Sequence, residues 1–356
     1  MKKKVALYLL SVLTLAACKK SSENSSLSAK PKATGEVGKV AVLINDATYV
    51  ACKDTLKAVY QKTLEGLPSL EPYLRVTHCN EDKFTNYFKR NYNLCIVYDQ
   101  SNSTKLKGIL GGEMTTLINE KIKNGESIFV VKDLFAQPQE VCFILAANSD
   151  DLNKKLVENG PKLLELAMAT EKKTTISRVI RKPKNQDAFY NTMMKQYGYA
   201  FRTPANFKVS VRSDEFNGVN RTAGDKRSGM YLYEEPYKGD HQFELDYIIQ
   251  RRNDMLKRHL HGPDRPDSIP TYVSTDTVNV TPYIQQIDLN GYKAFETRGW
   301  WEMENEFFGG PFISYTIFCP KQNKVVTLEA NVFAPSEKKQ PLLRQMELAA
   351  TTFEEK

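Results

Sequence analysis

At 356 residues, with 41% hydrophobic and 26% charged side chains, the chain is long enough for one large domain or two ordinary ones with a sizeable core. Its formal charge of +8 is scattered instead of gathered into a stripe. That pattern excludes nucleic acid as a partner and leaves solubility, with weak attraction to acidic headgroups or glycans.

In chain order, Lys2, Lys3 and Lys4 precede an apolar run over residues 5–15 and the small pair Ala16-Ala17. A charged start, a short apolar stretch and small residues before the cut predict a signal peptide over 1–17, too short to span a bilayer. Leu15-Ala16-Ala17-Cys18 resembles the lipobox of bacterial lipoproteins, which implies acyl chains on Cys18 and attachment to a membrane. Residues 18–38 are rich in Ser, Lys, Ala and Gly and predict a flexible tether. Lys19 is not the aspartate of an inner-membrane retention signal, and Lys19-Lys20-Ser21 lacks the acidic cluster of a surface-export signal. These comparisons imply an outer-membrane anchor with the body facing the periplasm, the cell surface and the inner membrane being the alternatives.

Besides Cys18 there are Cys52, Cys79, Cys95, Cys142 and Cys319, an odd number with no CxxC spacing for zinc or redox work. They read as small buried hydrophobes. If any bridge forms, Cys79 with Cys95 on neighbouring strands is the expected one.

Residues 39–171 alternate strand and helix patterns. Strands are predicted over 39–45, 74–79, 94–98, 127–133 and 141–147, with helices over 49–64, 81–88 and 113–123. Gln137-Pro138-Gln139 turns the last two strands antiparallel. Ser149 caps a helix that starts at 150 and is kinked or restarted by Gly160-Pro161 on its way to 171. The glycines of residues 107–112 predict a loop needing positive φ, without the spacing of a phosphate or dinucleotide fingerprint. No cofactor motif appears elsewhere. Residues 172–186 are basic, carry Pro183, and predict a linker between domains.

Residues 187–356 predict a second domain. A short helix over 187–197 is followed by strands over 199–201, 207–211, 230–233 and 247–251, with a polar loop over 213–229. His259 and His261, with Asp264 and His241, are the one spot resembling a metal site. Spacing fixes no third ligand, so surface or helix-terminal histidines are the plainer reading. Segments 291–305, 312–319 and 325–333 predict a three-stranded meander, closed by a helix with the apolar stripe Leu342, Met346, Ala349 and Phe353. The fold class expected is α+β: an N-terminal α/β-patterned sheet domain, then a mostly antiparallel sheet domain closed by a C-terminal helix.

Both tryptophans lie in the first strand of that meander. Period two puts Phe295, Thr297, Gly299, Trp301 and Met303 on one face and Glu296, Arg298, Trp300, Glu302 and Glu304 on the other. Gly309-Gly310-Pro311 is expected to break the strand before Phe312. Arg298, Trp300, Glu302 and Glu304 are the candidate binding residues, because aromatics beside arginine dominate binding hot spots. An envelope protein or a glycan is the expected partner, and no catalytic residue is assigned. Two alternatives stay open. Glu302 and Glu304, roughly 7 Å apart on one strand face, suit an inverting glycosidase pair. Equally, Trp301 is core, Arg298 pairs with Glu296 or Glu302, and the glutamates line an ordinary wet face.

Leu67-Pro68-Ser69-Leu70-Glu71-Pro72, Ala136-Gln137-Pro138-Gln139, Thr203-Pro204, Arg298-Gly299-Trp300-Trp301, Phe308-Gly309-Gly310-Pro311-Phe312 and Phe333-Ala334-Pro335 before Lys338-Lys339 form an ordered series. The series resembles the landmarks of an uncharacterised lipoprotein family of Bacteroides-type Gram-negative bacteria. The resemblance covers nearly the whole mature chain and carries no catalytic assignment. The pair His259 and His261 departs from it, which weakens the metal reading.

Overall fold

The computed structural model describes residues 30–63, 71–180, 182–262, 269–335 and 337–356. Residues 1–29, which take in the predicted signal peptide and Cys18, lie outside the described residues, as do the Leu67–Leu70 landmark and Asp264. The fold is α+β, as expected: a mixed sheet clad in helices, then a larger antiparallel sheet with a helix near the C-terminus.

The first sheet runs β2-β1-β3-β5-β4. Its strands are β1 (Lys39–Leu43), β2 (Arg75–Cys79), β3 (Asn93–Asp99), β4 (Ile128–Lys132) and β5 (Glu140–Ala146). β4 runs antiparallel to β5, as predicted, while the other neighbours pair in parallel. Such strands are covered on both faces, which is why β3 is buried along its whole length. Helices α1 (Asp46–Tyr60) and α4 (Ser149–Val179) pack Leu56, Val59, Leu152 and Leu156 on Val40, Val42 and Val97. The short α2 (Asn86–Lys89) and the long α3 (Thr104–Lys123) cover the other face, where Phe88 and Ile118 meet Leu43, Ile96 and Phe143.

Four expectations for this half are corrected. Residues 107–112 are not a loop but part of α3; the expected positive φ is present at Gly111 (φ 80°, ψ 174°), where two helical stretches meet at a kink. Leu106, Ile109, Leu110 and Met114 all pack on the sheet, so burial overrides the poor helix propensity of glycine. Residues 172–179 of the expected linker are the last turns of α4, because Thr174, Thr175 and Val179 continue its buried face. Residues 30–38 of the expected tether are docked. The Ala33 N–H donates to the Gln137 carbonyl (3.0 Å) and the Thr34 N–H to that of Arg90 (2.7 Å), a backbone attachment that side-chain composition does not reveal. Lastly, the five described cysteines are all free. Cys79 and Cys95 are separated by β1 and lie on opposite faces of the sheet, where no bridge can join them.

The second sheet runs β10-β12-β13-β14-β9-β8-β7, with β11 beside β12. Helix α5 (Ala188–Gln196) and strand β6 (Tyr199–Ala200) lead into β7 (Lys208–Arg212), β8 (Phe216–Ala223) and β9 (Lys226–Pro236). After α6 (Leu245–His259) come β10 (Val273–Asp276) and β11 (Tyr283–Leu289), which line one edge of β12 (Tyr292–Met303). The predicted meander follows as β12, β13 (Gly309–Cys319) and β14 (Lys324–Phe333), then α7 (Gln340–Ala350) and β15 (Glu354–Glu355). Helices α5 and α7 cover one face through Phe189, Met193, Leu343 and Met346. Helix α6 covers the other through Met255 and Leu256.

Two further expectations fail here. Residues 213–229 form the β8–β9 hairpin; the outer half of β8 is exposed and polar, which hides its period-two signal. Residues 247–251 are helical, since Ile248, Arg252, Met255 and Leu256 recur at helical spacing and form the buried face of α6. Five residues were too short a window to separate the two periods.

Helix α7 joins the two sheets. The Glu71 carboxylate accepts from the N–H groups of Lys339 (3.0 Å) and Gln340 (2.7 Å), capping α7 from the other half of the protein. Arg344 bonds Glu171 of α4 (2.6 Å) and Glu347 (2.8 Å); Glu347 bonds Arg298 (2.8 Å), and Arg298 bonds Glu296 (2.7 Å). Burial alone would raise the Glu347 carboxyl, but the guanidinium groups of Arg298 and Arg344 outweigh it and hold the group at about 2, below its ordinary 4.5. A carboxyl depressed on folding stabilises fully above 4.5 and loses that contribution as pH falls through about 2. Urea unfolding across this acid window is expected to record a loss of about 3 kcal/mol from Glu347. Glu347→Gln should cost roughly 3 kcal/mol at neutral pH and flatten that acid limb.

Candidate functional site

The β12–β13 hairpin carries the candidate residues, and its register explains their placement. Trp300 is opposite Pro311, Trp301 opposite Gly310 and Glu302 opposite Gly309. Gly309 and Gly310 therefore lie inside β13 and do not break the strand, contrary to expectation. Their role is clearance. A Cβ on Gly309 would stand 2.8 Å from the Trp300 Nε1, and one on Gly310 only 1.8 Å from the Val332 carbonyl oxygen and 3.1 Å from the Trp301 Nε1. The turn itself uses Asn305 at φ 62°.

The strand alternation holds, and it splits the candidate residues. Arg298 is 3% exposed and locked between Glu296 and Glu347, so it is a core residue and leaves the candidate surface. Trp301 is buried on the α6 side, where its Nε1 donates to the Val332 carbonyl (3.2 Å). Trp300, Glu302 and Glu304 are half-buried on the α7 side. Glu304 accepts from the Ser274 hydroxyl at 2.8 Å. Burial, with Asp276 and Glu304 nearby, pushes the Glu302 carboxyl above its ordinary range.

Two depressions flank the hairpin. The first, of about 460 Å³, is lined by Trp300, Glu302, Glu306, Phe307 and Lys339, with Phe307 fully exposed at its lip. The second, of about 520 Å³, opens on the α6 side between the end of α6 and the tips of β8, β9 and β14. Phe308 and Phe333, in edge-to-face contact with centroids 5.1 Å apart, form a wall common to both.

The histidines are otherwise engaged. His259 ends α6, stacks on Phe216 with ring centroids 4.7 Å apart, and lies 3.0 Å from Glu215. His261 donates through Nε2 to the Lys257 carbonyl (2.7 Å), and His241 packs edge-on against Tyr247. Among the described residues no His, Cys, Asp and Glu groups are arranged to hold a metal ion. Sequence reasoning missed Arg227, Tyr231 and Asn331, which line the second depression. Arg227 fell in the segment read as a loop, while Tyr231 and Asn331 lay in predicted strands whose pairing into one cleft is not given by spacing along the chain.

Residues 162–352, more than half of the chain, match the family model described as a domain of unknown function, DUF4837. The chain belongs to this family. The DUF4837 match takes in β6 to β14 and α7, and so both depressions. Residues 33–180 match a second model, also described as a domain of unknown function, DUF8532. The two matches overlap along the second half of α4, which carries Glu171. No curated protein matches the chain. The family model agrees with the sequence resemblance to a family without an assigned activity.

The clearance argument has a paired test. Gly310→Ala is expected to destabilise by about 1–3 kcal/mol in urea unfolding, since β13 and β14 must part to admit the methyl group. Gly108→Ala lies in α3 with nothing within 4 Å of the added carbon, and should be neutral or stabilising by up to about 1 kcal/mol.

Proposed function

We propose that this DUF4837 protein is an outer-membrane lipoprotein, acylated on Cys18 and facing the periplasm, that binds an envelope protein or glycan beside Trp300. The observation that carries the binding reading is Phe307, fully exposed at the lip of a depression that holds Trp300 between Glu302, Glu306 and Lys339. A large apolar ring held in water next to an indole and charges of both signs is the composition of a recognition surface. The anchoring reading rests on the basic start, the short apolar run and the Leu15-Ala16-Ala17-Cys18 motif. Among the described residues no helix is long and apolar enough to cross a membrane.

A second reading, hydrolysis of an envelope glycan, is favoured by one observation. The carboxyl of Glu302 is raised by burial and by Asp276 and Glu304, the condition of a general acid, and it shares its depression with Glu306 and an indole.

Metabolic labelling with an alkyne fatty acid is expected to mark the wild type and not Cys18→Ser; equal marking of both would sink the anchor. Trp300→Ala combined with Phe307→Ser should release envelope material that co-purifies with the anchored protein, with circular dichroism unchanged. For the hydrolase, Glu302→Gln should cut glycan turnover by about 10²–10⁴-fold and remove the basic limb of its pH profile. Wild-type protein that releases no product from envelope glycans disposes of that reading.

A further inference from the structure

The second depression lies across the sheet from the Trp300 surface, and its chemistry differs. Its apolar lining comes from Trp301, Tyr231, Val273, Met303, Phe308 and Phe333. Tyr231 lies flat over β8 and β9 because Gly218 and Gly229 leave room for it: a Cβ on either would come within 2.4 Å or 2.3 Å of its atoms. The aromatic floor is thus built by removing side chains from two neighbouring strands.

The polar lining is one-sided. Arg227, Gly229 and Tyr231 alternate along β9 and so share its α6 face, with Arg227 exposed at the rim and in register with Phe333. Asn220, Asn331 and His261 complete the rim. Among the described residues no Asp or Glu lines the depression, and Arg227 has no ion pair. The neighbouring cations are already matched, Lys226 with Glu337 and Arg258 with Glu215, which also lies 3.0 Å from His259. Arg227 is left facing water beside an apolar cleft.

We propose that this cleft binds a single-chain anionic amphiphile, an alkyl carboxylate whose chain lies on Trp301, Tyr231 and Met303 and whose head is held by Arg227. A guanidinium at the rim selects a carboxylate over a neutral head through a charge-assisted hydrogen bond. The volume of about 520 Å³ is in the range that encloses one small molecule, which selects one chain over the two of a membrane phospholipid. The proposal is independent of the partner surface on the other face and of the anchor on Cys18.

The protein has two tryptophans, so Trp300→Phe leaves Trp301, inside the cleft, as the single indole, and excitation at the red edge of tryptophan absorption avoids the tyrosines. Titration of that protein with monomeric bromododecanoate is expected to give saturable quenching by the bromine. In the same background Arg227→Gln should weaken binding roughly tenfold, and bromododecanol should bind about as weakly as the carboxylate binds Arg227→Gln. The reciprocal Trp301→Phe protein, which reports from Trp300, should show no saturable quenching. Should that buried substitution disturb the fold by circular dichroism, the Arg227→Gln comparison decides alone. Absence of saturable quenching, equal affinity for the alcohol and the carboxylate, or an unchanged affinity in Arg227→Gln overturns the proposal. So does binding to anionic phospholipid vesicles without binding to the monomeric carboxylate.

Discussion

The rest of the structure depends on a chain of buried charges: Glu296, Arg298, Glu347, Arg344 and Glu171, each bonded to the next at 2.6–2.8 Å. Isolated in a protein interior, any one of them would cost several kcal/mol of desolvation. Together they alternate in sign, so each guanidinium lies between two carboxylates. The chain starts on β12, passes through α7 and ends on α4, tying the larger sheet to the smaller one. Glu171 also accepts from the Gly38 N–H (2.5 Å) where the chain enters β1. Glu71 caps the start of α7, so both the side and the end of this helix are specified by residues from the first half of the protein.

This network also decides what the hairpin can do. Arg298 is buried and paired with Glu296 and with Glu347 of α7, and the surface features of β12 begin only at Trp300. There the alternation of the strand delivers one indole to each face, and glycines on β13 clear the space each indole needs. Two depressions of different character result from one hairpin, separated by the Phe308 and Phe333 rings. One has acidic groups and a lysine around Trp300; the other has an aromatic floor and an arginine.

On the α6 face a second buried pair, Arg252 with Glu329 at 2.8 Å, fixes the helix over the sheet. The Arg252 guanidinium also lies 3.7 Å from the centre of the Phe312 ring and bonds the Thr275 hydroxyl (2.6 Å). Burial raises the Glu329 carboxyl even so, because one guanidinium does less for it than two do for Glu347. Placing α6 in this way also places its C-terminal end, with His259 and Leu260, at the mouth of the second depression.

The sequence alone determined the elements whose signal is local. The apolar runs of β1, β3 and β5, the period-two alternation through Trp300 and Trp301, the meander and the apolar stripe of α7 are all fixed by neighbours a few residues away, so their spacing was enough. It also determined the α+β class and the two-faced character of β12. The pairing of Arg298 with Glu296 on one strand face was legible too, but only the tertiary structure decided that Arg298 is buried, because its second partner Glu347 is far along the chain and a strand pattern is blind to what packs above it. The same holds for the glycines at 309 and 310, whose purpose is set by the Trp300 ring and by the Val332 carbonyl of a neighbouring strand. Residues 107–112 became helix, and 30–38 became anchored, through contacts with distant strands that outweigh local propensity. Spacing along the chain encodes periodicity; it does not encode which distant charge or carbonyl completes a buried group.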